Sequence, residues 1–531
     1  MTPRTKFLAL ALALVMTLGL AGCAAAPDAA SAATTAPAAD SSAPAAQGTA
    51  EPETTENPYA QNVDVRVFMV TDGEMDNMVT RKMEELFNLN FVWNLAPKAS
   101  PDEPFNLMMA SGDLDDFICN DPNDLFGYAG KGAYLPLNDV LAEKVPSFQK
   151  LLDENPSWVQ DLSYNDGNLY YFPMISAIST ERVYFINEGW LALCSKDVPQ
   201  TLEDWKDVLT AFKETDCNGN GIADEVPFTF RGDWTYLDFY EAYGIDAGFF
   251  VEDGQVLYGP YDARMKDYLE YASDLYANGL IDPEYITLNN NLAKEKWVNN
   301  IAGAGYEWNT RIRDNNEGVA EMENAHFIGI LPPKSVVDGS VSTRHQMDKL
   351  RTTGAGAIAV TADEAVADRI LALMNYNYAD DTQYLASTGL EGVHYTLENG
   401  AVVFTDYVLN NPDGKAPRSV PGDDGANKDW PIRQQIALEN IMPQEILDTR
   451  DIYEPIIAPS FPRLSFTDEE QSEITAAMSE IQTVVDEYIN KFIMGTVSLD
   501  QWDSYVSKLQ KAGMDTVLAH YNTAYQRYMG N

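Results

Sequence analysis

The sequence is poor in positive charge: 35 Lys and Arg stand against 81 Asp and Glu, a formal net charge of −46. Such a surface repels phosphate backbones, so composition argues against any nucleic-acid partner. Histidine is scarce as well. The four present (His326, His345, His394, His520) form no HExxH or other zinc spacing. Cysteine is equally rare: Cys23, Cys119, Cys194 and Cys217 are scattered, which implies no disulfide framework but leaves room for one bridge. No GxSxG and no Walker A motif occurs, so neither serine-hydrolase nor P-loop chemistry is signalled. Long apolar runs are missing too. The run from Phe7 to Leu20, behind Arg4 and Lys6, falls short of the ~18 residues of a membrane span and reads as a signal-peptide core.

The residues just after that run are informative. "LAGC" (Leu20–Cys23) resembles the bacterial lipobox, which implies a signal peptide over 1–22 and lipidation of Cys23. A diacylglyceryl group contributes about 0.8 kcal/mol per buried CH₂, and two acyl chains anchor stably where one does not. Residues 24–58 are mostly Ala, Pro, Ser and Thr, with five acids and no base. Together with Cys23 they form a 23–58 tether that cannot bury a core, with a span of roughly 30–35 Å. Loss of Arg4 and Lys6 with the leader takes the net charge from −46 to −48. The chain from Tyr59 onward is long enough for two or three domains.

The chain then alternates strands and helices. "VDVRVFMV" (Val63–Val70) has strand periodicity; Val79, Met83, Leu86 and Phe87 recur at helical spacing, and "FVWNL" reads as the next strand. This β-α-β opening predicts a parallel sheet with a ligand crevice at its strand ends. Capping boxes are predicted at Thr201/Asp204, Thr361/Glu364, Thr467/Glu470 and Ser498/Gln501, the third opening a long amphipathic helix that ends at Gly495.

One loop carries metal chemistry. In "DCNGNGIADE" oxygen donors stand at the first, third, fifth, ninth and tenth positions: Asp216, Asn218, Asn220, Asp224 and Glu225. Gly221 occupies the sharp-turn sixth position, and Ile222 offers its backbone carbonyl at the seventh. A hard cation taking six to eight oxygens at about 2.3–2.6 Å suits that set, and Ca²⁺ is the expected ion. The twelfth position is Pro227 instead of a bidentate Glu, so Asp224 and Glu225 would close the sphere.

Several long segments, in order, resemble one family: "FNLMMASGDLDD", "DGNLYYFP", "VYFINEGWLALCSKDVPQTLEDWKDVLTAFKETDCNGNGIADEVPFTF", "GLEGVHYTLENG" and the C-terminal "KFIMGTVSLDQWDSYVSKLQKAGMDTVLAHYNTAYQRY". The chain is identified as similar to lipoprotein extracellular solute-binding proteins of carbohydrate ABC importers, in the large oligosaccharide-binding branch with an internal calcium loop. Asp115, where the family usually has Pro, and Cys217, at the loop's second position, depart from its pattern. The resemblance implies an α/β, two-lobed type II periplasmic-binding-protein fold, each lobe a sheet flanked by helices, joined by a hinge. It divides the chain into an N-lobe over 59–178, a C-lobe over 179–354 that contains the calcium loop 216–225, a return segment over 355–460 mainly in the N-lobe, and C-terminal helices over 461–531. Chain crossings fall near Phe172–Thr180 and Gly354–Val360. The calcium becomes a structural clamp away from the cleft. The implied partners are an oligosaccharide and a membrane permease, met by a monomer held to the membrane through its lipid alone.

Sugar binders set aromatic faces against pyranose rings and short polar groups against hydroxyls. Trp308 and Tyr306, in "AGAGYEWNTR", follow a small-residue strand where the family tends to place a cleft aromatic. Trp234, Tyr236 and Trp430 lie among turn-forming polar residues, and Asp72 and Asn120 stand at predicted strand ends. Trp190, Trp205 and Trp502 lie on periodic apolar faces and read as core. Two other functions compete: an anchored carbohydrate-active enzyme using paired carboxylates, and a surface adhesin or peptide receptor. Acid abundance does not favour the enzyme, because so many carboxylates form close pairs by chance.

Cys23→Ala is expected to release the protein into the medium with its fold intact. Retention of the variant on membranes after a high-salt wash would disprove lipidation at this cysteine.

Overall fold

The computed structural model describes residues 59–530 except 181, 233–238, 342, 344–348, 352 and 429. Trp234 and Tyr236 lie outside the described residues, as does Cys23. The described strands are β1 (Val63–Val70), β2 (Leu89–Ala96), β3 (Phe117–Asn120), β4 (Arg182–Asn187), β5 (Val226–Thr229) and β6 (Phe249–Glu252). They continue with β7 (Gln255–Tyr258), β8 (Ala302–Trp308), β9 (Phe327–Ile330), β10 (Ala355–Ile358), β11 (Tyr395–Glu398) and β12 (Ala401–Phe404).

Two four-stranded sheets organise the chain, ordered β10-β3-β1-β2 and β5-β8-β4-β9. In the first, β1 pairs in parallel with β2 and β3, and β10 closes the edge antiparallel to β3. The β-α-β opening predicted from periodicity is therefore present, its helix spanning Met78–Phe87 and burying Val79, Met83 and Phe87. In the second sheet β5 is parallel to β8, while β4 runs antiparallel to both β8 and β9. The chain thus builds most of the first sheet, then the second, and returns to the first with β10.

Each sheet has its own core. The first core draws on residues 65–175 and 350–432. The second sheet is covered on both faces, as the period-two alternation of a strand requires: Tyr184 and Ile186 enter one core, Val183 and Phe185 another. Burial on both faces explains why "AGAG" precedes "YEW" in β8. A Cβ at Gly303 would meet the Trp190 ring at 2.4 Å, and one at Gly305 would meet Trp297 at 2.6 Å. Small residues here let large rings pack directly on the strand. Trp190 and Trp205 are fully buried, and Trp502 is buried too, as their positions on apolar faces predicted.

The C-terminal helices complete the second core. Asp468–Ile493 contributes Ile481, Val485, Ile489 and Phe492, and Trp502–Lys511 and Met514–Tyr528 add Tyr505, Leu509, Met514 and Val517. Strand-like pairs link the segments that run between the sheets: Ile175 bridges Leu350 and Arg433, and Thr343 bridges Ile457.

The capping predictions divide. Thr201/Asp204 and Thr467/Glu470 form full reciprocal boxes. Thr361 does not cap: the helix begins at Glu364 behind Asp363, because Thr361 is taken up in the preceding turn. Ser498 accepts the Asp500 N–H and opens a short 3₁₀ turn, Leu499–Gln501, so that the α-helix starts only at Trp502.

Glu470 has a second role. Besides accepting the Thr467 N–H at 2.9 Å, its carboxylate takes a two-pronged Arg527 contact at 2.9 and 2.6 Å, joining the start of one helix to the end of another. The Arg527 hydrogen bonds, aided by Thr467, hold this carboxyl down at about 2 from an ordinary 4.5. A depressed carboxylate stabilises the fold in full above its unfolded value and loses that contribution as pH falls through the folded value.

Two outcomes are expected. Glu470→Gln should cost about 1–2 kcal/mol near neutral pH, discounted for the exposed half of the pair, and its deficit in urea melts should shrink as pH falls from 4.5 towards 2. A deficit independent of pH would mean that the carboxylate charge is not what Arg527 uses. Trp205→Ala should cost about 3–5 kcal/mol in the same assay, since it empties a fully buried site.

Candidate functional site

The strand ends of the first sheet lead into helices that begin beside a crevice. Past β3, Asp121 caps the helix Pro122–Ala129 by accepting the Asn123 N–H at 2.8 Å, and Pro122 pre-sets its first turn. Past β2, the helix Asp102–Ser111 starts with two acids, which suit a helix N-terminus. The first turns of both helices line a cavity of ≈ 570 Å³, whose other wall is Leu464–Phe466, Asp468, Gln471 and Tyr521 from the C-terminal region.

Six aromatic rings line that cavity: Phe105, Phe126, Tyr128, Tyr164, Phe466 and Tyr521. Several are braced by others. Phe105 meets Tyr128 edge-on at 5.5 Å, Phe126 lies 5.8 Å from Tyr164, and Phe466 lies 4.9 Å from Tyr521, which stacks on Phe249 at 3.8 Å. Between the rings stand Asn106, Asn123 and Gln471, which both donate and accept, and the carboxylates Asp102, Asp124 and Asp468. Burial, with the charges of Asp121 and Asp102, pushes the Asp124 carboxyl above its ordinary value. Flat apolar faces separated by amides and carboxylates are the chemistry that pyranose or furanose rings require.

The two walls are tied beyond the cavity. Asn165 donates to the Phe466 carbonyl at 2.8 Å, and the Tyr528 hydroxyl donates to Asp161 at 2.9 Å. Arg463 donates to the carbonyls of Leu350 and Arg351, the latter at 2.8 Å, and to the Tyr171 hydroxyl at 3.3 Å.

The residues singled out in the sequence fall in different places. Asn120 is buried and lines an adjoining cavity of ≈ 220 Å³ with Lys98, Asp121, Asp124 and Gly354; Asp124 belongs to both cavities. Asp72 is exposed and accepts the Lys98 N–H at 3.0 Å. Trp308, half-buried at the end of β8, has the Arg182 guanidinium 5.2 Å from its ring centre. Beneath it, the fully buried Glu307 accepts the Trp308 N–H at 3.0 Å and lies 4.0 Å from Arg231 and 3.8 Å from Arg311, as a buried charge must be accompanied. Tyr306 is buried in the second core, 4.8 Å from Tyr184. Trp430 is only 4% exposed, enclosed by Phe91, Trp93 and Phe117 in the first core. Neither Tyr306 nor Trp430 lines the aromatic cavity. The rings that do were missed because they are scattered along the chain, on helices at Phe105, Phe126, Tyr128 and Tyr521 and in irregular segments at Tyr164 and Phe466, and only folding joins residues 105–164 to 464–521.

The acidic loop is compact. Gly221 N–H donates to Asp216 at 2.9 Å, and Gly219 and Gly221 both adopt positive φ, which opens the turns. Asn218 and Asn220 direct their amide NH₂ groups to the Asp224 carboxylate at 2.9 and 3.1 Å. Their own oxygens accept the N–H groups of Asn220 and Ile222. Glu225 accepts the Cys217 N–H at 3.0 Å. Among the described residues no three His, Cys, Asp or Glu side chains gather as a metal site; in this loop the remaining oxygens come from Asn and backbone.

Comparison with known proteins gives these features a setting. No protein-family model matches the chain. Over 495 residues it is 25% identical to the fructooligosaccharide ABC transporter substrate-binding protein FusA of Streptococcus pneumoniae serotype 4, covering 86% of this chain and 88% of FusA. It is 24% identical over 332 residues to lipoprotein LipO of Bacillus subtilis, covering 59% of this chain and 63% of LipO. Among solved structures, the alginate-binding protein AlgQ2 without calcium ion superposes with a TM-score of 0.74 at 25% identity, over 88% of this chain and 98% of AlgQ2. A FusA EF-hand mutant in complex with fructo-nystose superposes at 0.69 with 21% identity, over 88% of this chain and all of that one (100%). FusA, the relative matched over most of both chains, is thus a substrate-binding protein of a sugar ABC transporter, and this chain has the fold of FusA and AlgQ2, the two-lobed periplasmic-binding-protein arrangement.

Proposed function

We propose that this protein is a lipid-anchored extracellular receptor that captures a neutral oligosaccharide between two lobes and presents it to an ABC permease. The observation that carries the reading is the ≈ 570 Å³ aromatic cavity, walled by helices of the first sheet on one side and by the C-terminal region on the other. A ligand seated there touches both walls only when they are close, so binding shifts the population towards the closed form. The tied segments around residues 175, 350, 433 and 457 would then act as the hinge between an N-lobe and a C-lobe. Trp308, half-buried at the end of β8, remains a candidate ligand contact on the second sheet.

The choice of a neutral ligand follows from charge. Asp102, Asp124 and Asp468 line the cavity, and no Lys or Arg stands among its described lining residues. A polyuronate, such as the ligand in AlgQ2's name, would bring carboxylates against carboxylates at an electrostatic cost.

Cys23 and the tether supply the anchor in this reading, and LipO is a relative named as a lipoprotein. No helix among the described residues is long and apolar enough to cross a membrane.

The loop residues fit a calcium ion. Two Asn amides donate into Asp224, hydrogens standing where a cation would sit if the amides turned their oxygens inward. Asp216, Asn218, Asn220, Asp224 and the Ile222 carbonyl would hold it, with Glu225 beside them, and the ion would neutralise the acids and fix the turn. FusA, a relative that has been solved as an EF-hand mutant, supports the same assignment.

Titration calorimetry against neutral and uronic oligosaccharides tests the reading. Tyr128→Ala and Phe466→Ala should each weaken neutral-sugar binding by about 1–3 kcal/mol, as should Trp308→Ala. Tighter binding of uronates would overturn the charge argument, and unchanged affinity in the two cavity variants would move the site elsewhere. In melting experiments, chelation should lower the midpoint, calcium should restore it, and Asp216→Ala with Asp224→Ala should remove the difference. A large loss of sugar affinity on chelation would contradict a purely structural ion.

A further inference from the structure

Two of the scattered cysteines are neighbours in space. Cys194 ends the helix Glu188–Cys194, and Cys217 lies just past the helix Leu202–Glu214, yet their sulfurs are 3.7 Å apart. Both thiols rest against the same helix end. Cys194 Sγ lies 3.5 Å from the Ala211 carbonyl and Cys217 Sγ 3.9 Å from that of Phe212, two of the last four carbonyls that an α-helix leaves without internal donors. Both sulfurs thus lie against one helix end. Cys119, buried in the first core, belongs to neither group.

Cys217 is the second residue of the acidic loop, directly after Asp216, and its backbone N–H is held by Glu225 at 3.0 Å. Whatever holds Cys217 therefore holds the start of that loop. Cys194 is partly exposed, so a small reagent can reach it, while Cys217 is enclosed behind it.

We propose that Cys194 and Cys217 form a disulfide that pins the start of the acidic loop to the end of the helix Glu188–Cys194. The proposal rests on the extracellular setting inferred above, where oxidants are available, and not on occupancy of the loop by an ion. The reaction is a thiol–disulfide exchange with a low-molecular-weight disulfide. The sulfur–sulfur bond of that reagent breaks, the Cys194–Cys217 bond forms, and the reagent's two halves leave as thiols carrying the two protons. Two electrons pass from the cysteine pair to the reagent. Side-chain rotation must bring the sulfurs from 3.7 Å to about 2.05 Å. The bond would close a ring across 23 positions of sequence and restrict the unfolded chain.

The test is a non-reducing tryptic map of the full chain after incubation with oxidised glutathione. Segment 183–196 should appear linked to segment 214–231, with Cys119 alkylated only after unfolding. A reductant should lower the melting midpoint of the oxidised protein by several degrees, and should leave Cys194→Ser unchanged. Recovery of both segments unlinked, or a link from either cysteine to Cys119, would overturn the proposal. So would an equal reductant-induced shift in Cys194→Ser. Calcium titration of the oxidised and reduced forms separates this bond from the ion: a mapped disulfide with no calcium response leaves the proposal standing and removes the calcium reading.

Discussion

The second half of the molecule depends on how closely large rings approach one strand. Gly303 and Gly305 in β8 leave Trp190, Phe212, Trp297 and Phe185 no Cβ to clear, so the strand is sandwiched between two cores. Close packing of this kind transmits position. It fixes the end of β8, where Glu307 is buried between Arg231 and Arg311 and Trp308 is turned towards Arg182. A strand with larger residues would force its neighbours outward and blur that end.

A receptor that closes on its ligand must reconcile stable halves with a yielding connection. The structure separates the two demands. Each sheet is committed to its own core, and among the described residues polar contacts at Arg463, Phe466 and Tyr528 join the halves. Polar, part-exposed contacts can exchange with water at little net cost, whereas core contacts cannot. The Glu470–Arg527 pair binds two C-terminal helices to each other beside the cavity. In the proposed reading, the cavity's carboxylates would act as a charge filter against acidic sugars.

Much of this was legible in the sequence because the signals are local. Alternation in Val63–Val70, the helical spacing of Val79, Met83 and Phe87, and the reciprocal caps at Thr201 and Thr467 each operate within a few residues. The turn chemistry of the acidic loop is equally local, and Gly221 adopts positive φ at the sixth position where the spacing required a sharp turn. The predicted boxes did not form at Thr361, which lies in the turn before the helix, or at Ser498, whose side chain caps a short 3₁₀ turn instead. Trp430 was misleading for another reason: turn-forming neighbours placed it on a loop, and three distant rings buried that loop.

The sequence by itself determined the alternation of strands and helices, the large acidic excess, the lipobox and tether as features of composition, and the oxygen-rich loop. All of these arise from propensity and spacing along the chain. Only the tertiary structure decided which aromatics share a cavity, because Phe105, Tyr128, Phe466 and Tyr521 are brought together by the return of the C-terminal helices across several hundred residues. It also decided that Cys194 and Cys217 touch while Cys119 stands apart. Proximity between distant residues is set by which apolar faces bury against each other, and linear spacing carries no record of that choice.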